Sequence, residues 1–314
     1  MKKLFTFMML LATTLTVAAQ TPVFMTREIT PESLVRIYKA LGIPATGRVA
    51  VKISTGESGG NNYLKPTLIR NLVDEVNGTI VECGTAYGGS RQDPAKHWQT
   101  IREHGFDSIA AVDIMDEFGE IRIPVRDKKH ITYDIVGEHL MGYTFMINLA
   151  HFKGHAMGGF GGVLKNASIG VASTAGKAYI HSAGFTTDPA TCWQNLPEQD
   201  AFLESMAAAA QGVHDYFGEG KILYINVMNN MSVDCDCDAH PATPVLKDMG
   251  ILASTDPVAL DQACLDLVFG HQATTGDDSR PLIERINRQH GTYITEYAER
   301  IGLGSRRYNL VMVP

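Results

Sequence analysis

Residues 150–166, AHFKGHAMGGFGGVLKN, combine residue types that a simple turn does not need. His155 can exchange a proton near neutral pH or bind a metal. Lys165 can pair with an anion or hold a cofactor covalently, and we predict both residues as catalytic. Glycine lets backbone amides approach a ligand closely, and the predicted cofactor-binding set is Gly158, Gly159, Gly161, Gly162, Lys165 and Asn166. The alternative is an ordinary glycine-rich turn with solvated His and Lys side chains.

A second polar cluster, DCDCDAH at residues 234–240, holds two thiols, three carboxylates and one imidazole. Thiolate and imidazole ligands together suit zinc, nickel, copper or iron. Cys235 and Cys237 cannot complete a site alone, so a further ligand must come from elsewhere, and His155 and His181 are the candidates. Two other interpretations stay open, namely a redox-active pair and an acidic loop with partly buried thiols.

Residues 56–60, GESGG, match the G-x-S-x-G pattern of a serine nucleophile elbow. Such an elbow needs its serine, here Ser58, on a tight turn between a strand and a helix. Several more residues precede the next predicted helix, and a glycine-rich turn explains the match as well. A serine hydrolase is therefore the third alternative.

The elements that must position these clusters alternate between strands and helices. Buried β-branched runs predict strands, and runs with an apolar face, Pro near the start and Gly after the end predict helices. The predicted strands are 48–54, 79–83, 108–114, 144–150, 221–228 and 307–313, and the predicted helices are 65–77, 93–105, 200–218 and 254–270. This order predicts an α/β fold with a mostly parallel sheet flanked by helices. Both polar clusters follow strand C-terminal ends, where open α/β sheets bind ligands, so we expect them to form one cleft.

The first nineteen residues, MKKLFTFMMLLATTLTVAA, have a basic start, an apolar run and small residues at the end. This pattern is typical of a secretory signal peptide, and the run is too short for a comfortable membrane span. We expect cleavage after Ala19 and export to the bacterial periplasm, with secretion as second choice. Residues 20–314 are expected to form a single domain, undivided or as two closely packed α/β lobes. The formal net charge of −7 becomes 25 − 34 = −9 once Lys2 and Lys3 are removed, which makes nucleic acid and anionic membranes poor partners for the mature chain.

Four segments together resemble the domain-of-unknown-function 362 family in sequence and order. They are VAVKISTGESG, TAYGGSRQDPAKHW, HFKGHAMGGFGGVLKNASIG and VDCDCDAHPATPVLKDMGILASTDPVALDQACLDLV. Many members of that family contain an inserted two-cluster ferredoxin segment. This chain has only Cys192 between His181 and residue 200 and no C-x₂-C-x₂-C-x₃-C run, so a ferredoxin-type cluster is not supported.

A more distant resemblance concerns lactate racemases that use a nickel-pincer cofactor. Their histidine, G-F-x-G-G-like turn, tethering lysine and nickel-binding histidine are similar in order and spacing to His155, residues 160–162, Lys165 and His181. The resemblance implies that Lys165 tethers the cofactor, that His181 binds the metal and that His155 is an acid/base group. The racemase signature D-x-T-R-P is not evident near Lys65, so the resemblance does not extend to substrate binding.

The predicted function is that of an exported metal- or cofactor-dependent enzyme, racemase/isomerase-like or redox, acting on a small anionic substrate. The predicted metal ligands are His181, Cys235 and Cys237, with Ni, Zn or Fe as candidate metals and the cofactor itself unknown. The alternative is a non-enzymatic periplasmic protein that binds a metal or another ligand.

Overall fold

The computed structural model describes residues 20–314. The predicted signal peptide, residues 1–19, lies outside the described residues. The strands are β1 (Thr21–Thr26), β2 (Val49–Lys52), β3 (Thr79–Glu82), β4 (Val112–Ile114), β5 (Glu120–Pro124), β6 (Tyr133–Gly137), β7 (Phe145–His151), β8 (Lys153–His155), β9 (Gly159–Gly161), β10 (Ile222–Met228), β11 (Gly250–Ser254) and β12 (Tyr308–Met312). The α-helices are α1 (Pro31–Ala40), α2 (Pro66–Glu75), α3 (Pro94–His104), α4 (Val163–Ala167), α5 (Thr174–His181), α6 (Pro189–Cys192), α7 (Gln199–Phe217), α8 (Pro257–Gly270), α9 (Arg280–Arg288) and α10 (Tyr293–Arg300).

Eight strands form one sheet in the order β12-β1-β11-β10-β7-β2-β3-β4. The five strands from β10 to β4 are parallel. Only β11 runs against its neighbours, because it pairs antiparallel with both β10 and β1. The predicted α/β fold with a mostly parallel sheet is therefore confirmed.

The sheet is buried on both faces. Every residue of β7 and β10 is buried, which explains why these strands are continuous apolar runs rather than alternating ones. One hydrophobic cluster, formed with α1, α2 and α3, covers one face, and a larger cluster, formed with α4, α7 and α8, covers the other.

The element boundaries agree with the sequence pattern at the caps. The pattern does not predict strands β1, β5, β6 and β11, and two of the predicted segments differ. Asp256 accepts hydrogen bonds from the Val258 and Ala259 amides, as expected for the N-cap of α8. The strand predicted at 108–114 shrinks to β4, because a 3₁₀ turn occupies Phe106–Ser108. The glycine-rich segment after β7 is not an open loop but the hairpin β8–β9 followed by α4.

Among residues 20–314, no helix combines the length and the apolar character that crossing a membrane requires.

Candidate active site

A cavity of about 170 Å³ lies beside the C-terminal ends of β2 and β3. It is lined by Lys52, Ser54, Glu82, Cys83, Thr85, Ala86, Tyr87, Arg91, His155, Ala156, Met157, Lys165, Asn166, Ile169, Gly170, Lys177, His181, Trp193 and Cys237. The structure thus brings His155, Lys165 and His181 to the same cavity as Cys237. The sulfurs of Cys235 and Cys237 and a ring nitrogen of His155 lie within 4.8 Å of one another, so the expected shared cleft is present.

The two polar loops meet because of Gly154, which lies in the middle of β8. Its amide donates a hydrogen bond to the Ser232 carbonyl (2.8 Å) in the loop that precedes the C-x-C pair. A Cβ at this position would overlap the carbonyl oxygen of Val233. Only glycine allows the hairpin to pack this closely against the thiol-containing loop.

The His155 imidazole is buried, and one of its nitrogens is already used. Nδ1 accepts a hydrogen bond from the Gly158 amide (2.8 Å), so in the neutral ring the proton is on Nε2. Burial, reinforced by the positive charge of Lys165, lowers the pKa of His155 well below its ordinary value. At neutral pH the ring is therefore a neutral hydrogen-bond donor through Nε2.

The His181 imidazole has the opposite tautomer. It is the last residue of α5, and its Nδ1 donates to the Lys177 carbonyl one turn earlier (2.7 Å). A neutral ring held in this way has a lone pair on Nε2, and burial lowers the pKa of His181 to about 4. Nε2 can therefore accept a proton or bind a metal, and the Nδ1 hydrogen bond to a carbonyl is the support that metal-binding histidines usually have.

Lys165 lies in α4 with its amine towards the cavity. Burial, reinforced by the positive charges of Lys153 and Arg91, lowers the pKa of Lys165 to about 7. Asp261 fixes the start of this helix, because its buried carboxylate accepts the Val163 and Leu164 amides at 2.9 Å. The amine is thus partly neutral at physiological pH, as a nucleophilic or tethering lysine must be.

Two further cations of the wall share one buried carboxylate. Lys52 Nζ lies 2.7 Å from Glu82 Oε1, and Arg91 Nη1 lies 3.1 Å from Glu82 Oε2. Burial alone would raise the pKa of Glu82, but these two cations lower it to about 2. Within residues 20–314, neither Lys165 nor Lys177 has a carboxylate in ion-pair contact, so the cavity has an excess of positive charge.

The C-x-C loop is anchored through the residue between its cysteines. The buried Asp236 carboxylate binds His151 Nδ1 and Lys153 Nζ, both at 2.8 Å. Burial would raise the pKa of Asp236, but these two partners hold it well below the usual range. The structure joins Cys235 and Cys237 by a disulfide.

The other predicted binding residues position the site. Gly158, Gly159, Gly161 and Gly162 do not line the cavity. A Cβ at Gly159 would come within 3.0 Å of Gly291 Cα, and its φ of +79° favours glycine, so tight packing explains this residue. Asn166 does line the cavity, but its amide is used within the protein, since it binds Asn148 Oδ1 (2.7 Å) and the Lys52 carbonyl (3.0 Å).

Ser58 does not form a nucleophile elbow. Strand β2 ends at Lys52 and α2 begins at Pro66, so no tight strand-to-helix turn contains the serine. Its hydroxyl donates to Glu103 (3.1 Å). In the described chain no histidine makes a hydrogen bond to this hydroxyl, which leaves the serine hydrolase alternative without support.

Sequence reasoning missed the cationic wall. Lys52 and Glu82 end the buried strands β2 and β3, and a charged residue at the end of an apolar strand is the signal that could have identified them. Arg91 and Lys177 had no comparable signal, because they lie in a loop and in a short helix.

The chain belongs to the family that a model for a domain of unknown function (DUF362) defines. That model matches residues 49–266, which is more than half of the chain. A search of curated proteins gives no match. Among solved structures, the lactate racemase apoprotein from Thermoanaerobacterium thermosaccharolyticum is similar at 13% identity and a TM-score of 0.45, over 78% of this chain and 56% of that one. This chain thus spans little more than half the length of that protein.

Proposed function

We propose that this protein is an enzyme that binds a small anionic substrate in the cavity and transfers a proton, as a racemase or isomerase does. The observation behind this proposal is the pair of histidines with opposite tautomers. His181 offers a lone pair at Nε2 and His155 offers an N–H at Nε2. One group can remove a proton from a carbon, while the other stabilises the negative charge that develops on the neighbouring oxygen.

The charge of the wall favours an anionic substrate. Lys165 and Lys177 face the cavity without a carboxylate partner among residues 20–314, and a bound carboxylate would supply it. Binding an anion beside Lys165 would raise the pKa of its amine and restore the full positive charge. A substrate carboxylate held there would place its α-carbon within the same small cavity as both histidines.

The residues also fit a metal-containing cofactor of the kind that the racemase resemblance implies. Lys165, with a pKa of about 7, has the reactivity that a covalent tether needs, and His181 Nε2 has a lone pair for a metal. Such a group, when bound, would supply a redox-active centre. The His181 lone pair serves either the metal or the substrate proton, so elemental analysis of protein purified from its own source decides which role it has.

Deuterium exchange tests the proposal. The purified protein is incubated in D₂O with a panel of small 2-hydroxy and 2-amino carboxylates, and loss of the α-proton is followed by NMR. We expect exchange with at least one of them, abolished in His181→Ala and strongly slowed in His155→Ala. His240→Ala is the matched control, because His240 is exposed in the C-x-C loop. A protein that binds a carboxylate tightly but exchanges no proton, with or without its native metal, would instead be the non-enzymatic binding protein.

We also propose that the protein is exported. The support is the basic start, apolar run and small residues that precede position 20.

A further inference from the structure

The proton-transfer site does not use the two thiols, although they lie beside it. The sulfurs of Cys235 and Cys237 and a ring nitrogen of His155 are within 4.8 Å of one another. Two sulfurs and one imidazole nitrogen are three of the four ligands of a tetrahedral zinc-type site.

The C-x-C pair lies in the wall between the cationic cavity and a second, more open pocket. Cys237 lines both, and the outer pocket has a volume of about 650 Å³. The outer pocket contains three carboxylates, those of Glu57, Asp234 and Asp238, and one lysine, Lys96. Asp234 pairs with Arg285 (3.1 Å) and Glu57 lies 3.6 Å from Arg91. Both cysteines line the outer pocket, whereas only Cys237 also lines the cationic cavity, so the outer pocket is the route by which a metal ion would approach both thiols.

The loop is held in place independently of the disulfide. Asp236 is fixed by His151 and Lys153, and its carbonyl accepts the Glu57 amide at 2.8 Å. Reduction of the disulfide would therefore leave both sulfurs close to His155 rather than release the loop. Such a preorganised set of ligands binds a metal without the entropic cost of ordering the chain.

We propose that the reduced protein binds one borderline-soft divalent cation, such as Zn²⁺, through Cys235, Cys237 and His155, and that disulfide formation releases it. The electrons balance by thiol–disulfide exchange. The two protein thiolates become the disulfide, and a small-molecule disulfide is reduced to two thiolates, while the metal leaves to water or to the released thiols.

Metal binding here and the proposed proton transfer compete for one ring. Coordination through Nε2 would replace the His155 proton, and coordination through Nδ1 would replace the Gly158 hydrogen bond. Coordination through Nε2 removes the neutral Nε2–H donor, whereas coordination through Nδ1 leaves the Nε2 proton in place but ties the ring to the metal. This consequence rests on the proposed function, whereas the metal binding itself does not.

A cobalt titration tests the site, with Co²⁺ alone as the probe. The mature protein is reduced with a phosphine, freed of metal, and titrated while thiolate-to-cobalt absorption is recorded. We expect one equivalent to bind, displaced by Zn²⁺, with no such absorption after treatment with oxidised glutathione. Loss of the absorption is expected in the Cys235→Ser and Cys237→Ser variants, and at least about tenfold weaker binding in His155→Ala.

Matched variants keep the test specific. Cys192→Ala removes a cysteine outside the cluster, and His240→Ala removes an imidazole of the same loop. Both variants should bind cobalt like the parent protein. Thermal melting shows whether each variant is folded, and if Cys237→Ser is unfolded, Cys237→Ala takes its place. Equal binding by oxidised and reduced protein, or thiolate absorption that survives both serine substitutions, overturns the proposal. Deuterium exchange is a separate measurement, so failure of the proposed enzyme leaves the cobalt result interpretable.

Discussion

The lowered pKa of Lys165 makes a prediction that needs no knowledge of the substrate. An amine reacts with acylating reagents only in its neutral form. The pH dependence of acylation at Lys165 should therefore have its midpoint near 7, where burial and the neighbouring charge of Lys153 place the pKa. An ordinary lysine, at 10.5, should show a rate that is still rising steeply there.

The size of the effect follows from the two pKa values. At pH 7 about half of the Lys165 amines are neutral, while an ordinary lysine has a neutral fraction on the order of 3 × 10⁻⁴. The ratio is on the order of 10³. Restricted access to the cavity lowers the absolute rate at Lys165, but it does not move the midpoint, so the midpoint is the quantity to measure.

The assay is brief labelling with acetic anhydride between pH 5 and 10, followed by quantitative mass spectrometry of the Lys165 peptide. The exposed Lys128 provides an internal reference in the same digest. In a Lys153→Gln variant the midpoint should move upwards, because the positive charge that lowers the Lys165 pKa most is gone while the amide can still bind Asp236. A midpoint near 10 in the parent protein, or no upward movement in the variant, would refute the electrostatic explanation.

Three further predictions concern stability and processing. Burial raises the pKa of Asp134 to about 8, so the native carboxyl keeps a proton that the unfolded chain loses above about pH 4. The free energy of unfolding should therefore fall by up to ~1.4 kcal/mol per pH unit between pH 4 and 8. Urea titrations of the Asp134→Asn variant should no longer show this dependence. Gly162→Ala should destabilise by about 1–3 kcal/mol, because the new Cβ would overlap the Asp261 carboxylate, whereas Gly88→Ala, with open space around it, should be neutral in the same melting experiment. Intact mass of the protein from its own source should show that the chain begins after Ala19, and retention of the first nineteen residues would contradict export.

The fold and the place of the site follow from sequence patterns that act locally. Buried β-branched runs and proline-initiated helices predict the parallel sheet, and the rule that ligands bind at strand C-terminal ends places His155 near Cys237. Lys165 and His181 are predicted from a resemblance in order and spacing to the racemases; both line the cavity, and their roles stay predictions. The fold and the shared cleft are confirmed because each depends on neighbours in the chain or on one general property of parallel sheets.

The details of the site depend on contacts between distant residues, and local patterns do not contain them. Glu82 meets Lys52 across 30 positions in the chain. The two histidine tautomers are set by a backbone amide at Gly158 and a backbone carbonyl at Lys177, and apart from proline, which lacks the amide hydrogen, every residue type provides both groups. Glycines that pack against a neighbouring chain segment look the same in sequence as glycines that approach a ligand. For this reason the sequence predicts Gly158, Gly159, Gly161 and Gly162 as cofactor-binding residues, although they do not line the cavity.

The positive charge that Lys165 and Lys177 bring to the cavity without a carboxylate partner among residues 20–314 has a consequence for every binding measurement on this protein. A cavity with surplus cations attracts whichever small anion the surrounding solution contains. Association with a carboxylate would then be an ion exchange, in which a buffer anion leaves as the carboxylate enters. Apparent affinities should therefore be weaker in chloride or phosphate than in a buffer whose anion is too large for about 170 Å³.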